Sequence, residues 1–263
     1  MDITGYAASI LIGISLGLIG GGGSILTVPV LVYLFAVDAV LATTYSLFIV
    51  GSASLVGSFS YFKKGLIDVK TAFIFGIPSI VAVFLTRTYL LTAIPEHVFE
   101  IGSFTVSKRI LLMIFFAVLM VLAAYGMIKK GDEEKTTDQK SASEFWVVLQ
   151  GFAVGMVTGL IGAGGGFLII PALVNLLKLP IKTAIGTSLI IIAVNSLTGF
   201  TFSFEQTQIE WSFLLTVTLI AIVGIFIGTY VSTKIEGKKL RPAFGYFVLA
   251  MGIYIIVKET LFK

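Results

Sequence analysis

The sequence predicts an all-α integral membrane protein made of two homologous, inverted four-segment repeats. Each repeat has one Gly-rich, broken or re-entrant segment and three transmembrane helices. Three observations predict this. Of 263 residues, 57% are hydrophobic and only 12% are charged, and the mean hydropathy is +1.05; a soluble domain carries roughly 25% charged residues. Eight apolar segments can be drawn. The second half of the chain also repeats the first at an offset of 142 residues.

The segments run at about 3–35, 38–62, 69–91, 107–128, 145–177, 181–204, 209–233 and 239–257. Six of them have roughly the 17–25 residues that cross a bilayer core as a helix. The first and fifth are longer, and as straight helices each would reach roughly 50 Å against a core of ~30 Å. Glycines interrupt both in the middle. The polar stretch from Lys129 to Lys140 divides the chain near its midpoint, so residues 1–128 form a first repeat, 129–143 a linker and 144–263 a second repeat.

The register of the repeat is specific. Gly17-Leu18-Ile19-Gly20-Gly21-Gly22-Gly23-Ser24 aligns with Gly159-Leu160-Ile161-Gly162-Ala163-Gly164-Gly165-Gly166. Without a gap, Pro29 falls on Pro171, Ser46-Leu47 on Ser188-Leu189, Ser54 on Ser196, Gly57 on Gly199 and Asp68 on Glu210. Similar membrane composition alone does not match Gly, Pro and acidic positions.

Positive charge sets the topology. If all eight segments span, the 18 Lys and Arg divide nine against nine. If segments one and five are re-entrant hairpins, they divide thirteen against five. The positive-inside rule prefers the second arrangement. It places the linker in the cytoplasm and both termini outside, with each half inverted relative to the other.

Composition excludes several classes. So few charges cannot clothe a soluble domain, a coiled coil or a nucleic-acid module. With no Cys and a single His, His97, disulfides, thiolate chemistry and a His-based metal cage are ruled out. No cofactor or metal is expected, and no enzyme: no membrane-depth His, Cys or acid pair is present to activate a nucleophile. No glycine run continues into a P-loop, and the dinucleotide spacing fails at Ile25 and Phe167. Met1–Gly5 lacks a basic n-region, so no cleavable leader is expected.

The glycine runs are expected to carry the site. Each Gly costs about 1 kcal/mol relative to Ala inside a helix, and Pro29 and Pro171 are expected to break the hydrogen-bond ladder again. Non-helical backbone at membrane depth survives only where protein buries it or water reaches it. Free amides and a helix N-terminus there would suit an anion. The alternative is close helix packing through small residues.

Segment two carries Thr43, Thr44, Gly51, Ser54 and Ser58 within an arc of about 100°, and segment six carries Thr187, Ser188, Asn195, Thr198 and Gly199 within about 120°. Such stripes must face protein or water. The expected substrate-binding set is Gly20, Gly21, Gly22, Gly23, Ser24, Thr43, Thr44, Ser46, Gly162, Gly164, Gly165, Gly166, Thr187, Ser188 and Asn195. Ser24 is its weakest member, because Gly166 stands opposite it.

No ionisable residue is expected in the middle of a span, which disfavours a cation pump. Arg87, near a span end, can reach inward or snorkel to the interface, and snorkelling is the expected outcome. Asp68 and Glu210 either place favourable charge at helix N-termini or couple transport to a proton or sodium ion. Asp38 is expected to cap the second segment, and His97 to be solvated.

These motifs resemble the TauE/SafE sulfite-exporter family, also called sulfonate uptake permeases. The resemblance is carried by GLIGGGGSILTVPVL at 17–31, GLIGAGGGFLIIPALV at 159–174 and AIGTSL at 184–189, and it spans essentially the whole chain. In the first half Ala42-Thr43-Thr44-Tyr45-Ser46-Leu47 departs from AIGTSL, so Tyr45 is expected to shape one side of the cavity differently. The resemblance implies a plasma-membrane carrier of sulfur-containing anions such as sulfite or organosulfonates. An anion channel, or a carrier of another small organic anion, is the alternative.

Overall fold

The computed structural model describes residues 3–101, 104–129, 144–162, 165–177, 179–204, 208–232 and 237–261. Most of the linker, and Gly164 of the expected site, lie outside them. The helices are α1 (Ile3–Ile19), α2 (Thr27–Tyr33), α3 (Ala39–Lys63), α4 (Val69–Leu85), α5 (Leu91–Ala93), α6 (Lys108–Lys129), α7 (Glu144–Ile161), α8 (Gly166–Leu176), α9 (Ile181–Phe204), α10 (Trp211–Ser232) and α11 (Gly237–Leu261). A 3₁₀ stretch, Gly20–Leu26, joins α1 to α2, and a wide π-type turn, Thr86–Leu90, joins α4 to α5. Among the described residues, six helices are long and apolar enough to cross a bilayer.

The over-long first and fifth segments are thus broken helices. Both breaks begin on a glycine that only glycine adopts comfortably: φ is +68° at Gly20 and +75° at Gly162. The two positions are equivalent in the sequence repeat. The prolines follow the breaks instead of making them. Pro29 is in the first turn of α2, where an amide has no intrahelical acceptor to lose, and Pro171 lies inside α8.

Helix starts follow local chemistry. Asp38 accepts hydrogen bonds from the Val40 and Leu41 amides at 2.9 and 3.3 Å, and Asp68 from the Thr71 amide at 3.0 Å. The all-α expectation misses one small element. His97–Ile101 (β1) and Phe104–Ser107 (β2) form an antiparallel hairpin between α5 and α6, with His97 exposed as expected.

Packing joins the two halves throughout. α1 lies on α10 and α4 on α7; α3 lies on α9, α6 on α11, and α8 on the 3₁₀ stretch. Small residues make the first two contacts close. Gly13 abuts the Ala221 carbonyl and Gly224, and Gly155 abuts the Ser79 carbonyl and Ala82. Gly17 meets Ile225 and Gly228, while Gly159 meets Val83 and Thr86. Every partner in one set is 142 positions from its counterpart in the other. The alternative reading, close packing through small residues, therefore holds for these glycines.

α3 and α9 are the most buried spans, and the polar stripes lie on them. The outer helices expose large apolar side chains, including Phe73, Leu122, Leu219 and Phe226. Such a surface is tolerable in lipid and a liability in water.

Candidate functional site

The two breaks meet at the centre of the molecule. Gly21 and Gly166 touch backbone to backbone, so closely that a Cβ on either would strike the other's main chain. Gly20 faces Ile185 of α9, Gly21 also faces Ile192, and Gly162 abuts the main chain of Thr43 in α3. Each break therefore rests on the polar-striped helix of the opposite half. Gly165, again at positive φ, sits against Thr158, and Gly23 against Ser15 and Leu16.

Most of both stripes is buried: Thr43, Thr44, Ser54, Thr187, Ser188 and Asn195 are at most 1% exposed, as are Ser46 and Ser196 beside them, whereas Thr198 is half-buried and donates to the Val194 carbonyl at 2.7 Å. Some hydroxyls serve their own helix. Thr43 donates to the Val40 carbonyl at 2.7 Å, Ser188 to Ile185 at 2.8 Å and Ser24 to Gly21 at 2.7 Å. Others have no partner: the hydroxyls of Thr27, Ser46, Ser54 and Ser196, and the Asn195 Oδ1. Asn195 is held on its other side, where Nδ2 donates to Ser79 Oγ at 2.6 Å. A buried polar atom left bare costs about 1–3 kcal/mol, so each of these atoms favours water or a polar ligand.

Two matching hydrogen bonds cross between the halves. The Asp68 amide donates to Thr187 Oγ1 at 2.9 Å, and the Glu210 amide donates to Tyr45 Oη at 2.8 Å. Tyr45 and Thr187 are equivalent in the repeat, as are the two acids. The departure at Tyr45 therefore keeps a hydroxyl for the same task at longer reach. Asp68 spends its carboxylate on the start of α4, whereas the Glu210 residue is exposed. An open cleft of about 740 Å³ lies between the α2–α3 turn and the start of α10, with Asp38, Tyr45 and Glu210 in its wall.

Arg87 is the residue that sequence reasoning misplaced. It does not snorkel; it is 2% exposed. Within the π-type turn, Thr86 and Arg87 face inward, while Tyr89 and Leu90 face out. Arg87 Nη1 donates to Thr43 Oγ1 at 3.2 Å, Thr44 Oγ1 at 3.4 Å and Ser203 Oγ at 3.4 Å. Its Nε and Nη2 have no partner. Residue type marks Arg87 as a span-end cation but does not decide between the inward and outward directions. A π-type turn, common at functional sites, breaks the helical register on which a facing argument depends.

The sequence profile described as "Sulfite exporter TauE/SafE" matches residues 6–255. The chain belongs to the TauE/SafE family of membrane transporters. It is 28% identical over 253 residues to a "Probable membrane transporter protein" of Xylella fastidiosa, covering 94% of this chain and 91% of that one. It is also 28% identical over 255 residues to the "Probable membrane transporter protein YunE" of Bacillus subtilis, covering 91% of each. A Methanocaldococcus jannaschii relative of the same description is 33% identical over 123 residues, 44% of this chain and 46% of its own. No solved structure matches this chain.

In this TauE/SafE chain, the expected site residues divide by environment. Gly20, Gly21, Gly162, Gly165 and Gly166 lie at the junction of the breaks, and Gly22 and Gly23 in the same 3₁₀ stretch. Thr43, Thr44, Ser46, Ser188 and Asn195 line the flanking helices. Thr187 is committed to the Asp68 amide. Ser24 is buried with its proton given to Gly21.

Proposed function

We propose that this protein is a secondary transporter of sulfur-containing anions of the sulfite and organosulfonate class. In this reading it lies in the plasma membrane with its linker in the cytoplasm. Substrate is held where the two Gly-rich breaks meet, by backbone amides and by the Ser, Thr and Asn groups of α3 and α9. The observation that carries the reading is the backbone contact of Gly21 with Gly166, packed against α3 and α9, whose Ser46, Ser54, Asn195 and Ser196 hold buried polar atoms without partners. The family description favours an oxyanion cargo, and among the described residues no Asp or Glu lies in the middle of a span.

The halves are inverted, and segments one and five re-enter. Ring contact of Tyr6 with Phe35, centroids 5.5 Å apart, supports re-entry of the first, because its entry and exit lie together. For the fifth, Glu144 at its entry pairs with Lys70 at 2.9 Å. Thr187, just beyond its exit, holds the neighbouring Asp68 amide. The exchange of every Gly13/Gly17 partner for a Gly155/Gly159 partner supports a two-fold relation. One half rocking against the other would then alternate access to the junction. A coupling proton or sodium ion would use Glu210 in preference to Asp68, whose carboxylate is already engaged.

The test is uptake of labelled sulfite into proteoliposomes, with and without unlabelled sulfite trapped inside. The expected result is uptake accelerated by trapped sulfite. Flux without counter-flow stimulation would make the protein a channel, and no flux with sulfite or any sulfonate would remove the substrate class.

A further inference from the structure

We propose that Arg87 anchors the transported anion by a two-point contact through its Nε–Nη2 edge. The inference rests on the anion-transport reading and deepens it by naming the group that supplies positive charge.

Arg87 carries its charge into the interior of a spanning bundle, and such residues mark substrate and ion pathways. Among the described residues no carboxylate pairs with it; the ion pairs there are Lys70 with Glu144 and Arg109 with Glu259. Three hydroxyls orient one end of the guanidinium without neutralising it. An isolated buried charge is expensive, so retention of this one calls for a counter-charge that comes and goes.

The pattern of bonding selects the ligand. Nη1 is tied to α3 and α9, while Nε and Nη2 are both bare. Those two nitrogens share one edge of the planar group and form the fork that grips two oxygens of one centre. A sulfite, sulfonate or carboxylate offers each prong its own oxygen in two parallel bonds; a halide is a single centre that both prongs must share at bent angles. The fork also stands beside the second break. Gly162 abuts the main chain of Thr43, whose hydroxyl Nη1 holds, and Gly159 abuts Thr86. α3 and α4 from one half and α7 and α9 from the other thus converge there. The repeat supplies no second cation: the counterpart of Arg87 is Thr229, and that of Ser203 is Tyr61. One anion per chain follows.

Calorimetric titration of the purified full-length protein tests this, with sulfite, methanesulfonate and acetate as probes and chloride at equal ionic strength. Wild type should bind at least one oxyanion in preference to chloride, at one site. Arg87→Lys keeps the charge but loses the fork, and should weaken binding about ten- to a hundredfold; Arg87→Gln should abolish it. Unchanged affinity in Arg87→Lys, or no oxyanion binding by wild type, overturns the proposal. If both variants fail to fold, Thr44→Val/Ser203→Ala leaves the guanidinium but strips Nη1 of two of its three hydroxyl partners. It should weaken binding severalfold, and unchanged binding there also overturns the anchor. The two readings separate cleanly. Sulfite carried by Arg87→Lys with unchanged KM removes the anchor and leaves transport standing. Arg87-dependent binding of acetate or methanesulfonate without sulfite flux does the reverse.

Discussion

Asn195 shows what a single buried carboxamide contributes. Its Nδ2 is bound by Ser79 and its Oδ1 is bare, while the repeat places Ala53 and Ala221 at the equivalent positions. One half thus carries a polar pair that the other lacks. Asn195→Leu should cut sulfite uptake by at least about tenfold, because a site built to hydrogen-bond loses its partner. Membrane levels on an immunoblot should stay normal, and wild-type flux would remove Asn195 from the site. Tyr45→Phe and Thr187→Val each strand one backbone amide, at a cost of about 1 kcal/mol. Thermal melts of the purified protein should show both losses, and the double variant should lose their sum. At this scale the sequence was readable where type decided burial, as with the Ser, Thr and Asn stripes. It was silent on Arg87, because inward or outward facing there depends on one turn of altered helix winding.

Among elements, the breaks were legible and the manner of breaking was not. Four adjacent glycines in an over-long apolar run announce an interruption. That the first interruption is a 3₁₀ stretch at Gly20–Leu26, and that Gly162 and Gly165 take positive φ at the second, goes with packing against α9 and α3. The β1–β2 hairpin escaped notice because Pro95, Glu96 and Gly102 read as loop, and its strands are short. Helix-pair contacts make a sharper forecast. Gly155→Leu should separate α7 from α4, since Ser79 and Ala82 occupy the space a side chain needs. Loss of folded protein in size-exclusion chromatography measures this. Gly126→Ala in α6 meets nothing within 4 Å. It should be neutral or gain up to about 1 kcal/mol from helix propensity.

For the whole molecule, the duplication read from matched Gly, Pro and acidic positions corresponds to the pairing of α1 with α10 and α4 with α7. Sequence alone could not supply the cross-half bonds of Tyr45 and Thr187, because both rest on three-dimensional register. The proposed mechanism requires the two faces of the junction to open in turn. The chain has no native Cys, so single cysteines report accessibility without background. Leu41 lines the cleft beside Tyr45, and Thr183 is its repeat counterpart, 142 positions on, near the opposite cross-half bond. The most direct measurement is the labelling rate of Leu41→Cys and Thr183→Cys by an impermeant maleimide, applied from each face, with and without saturating sulfite. The account predicts that each residue reacts from one face only, and that sulfite shifts the two rates in opposite directions. Reaction of both from a single face, or rates that rise and fall together, would contradict alternating access between the halves.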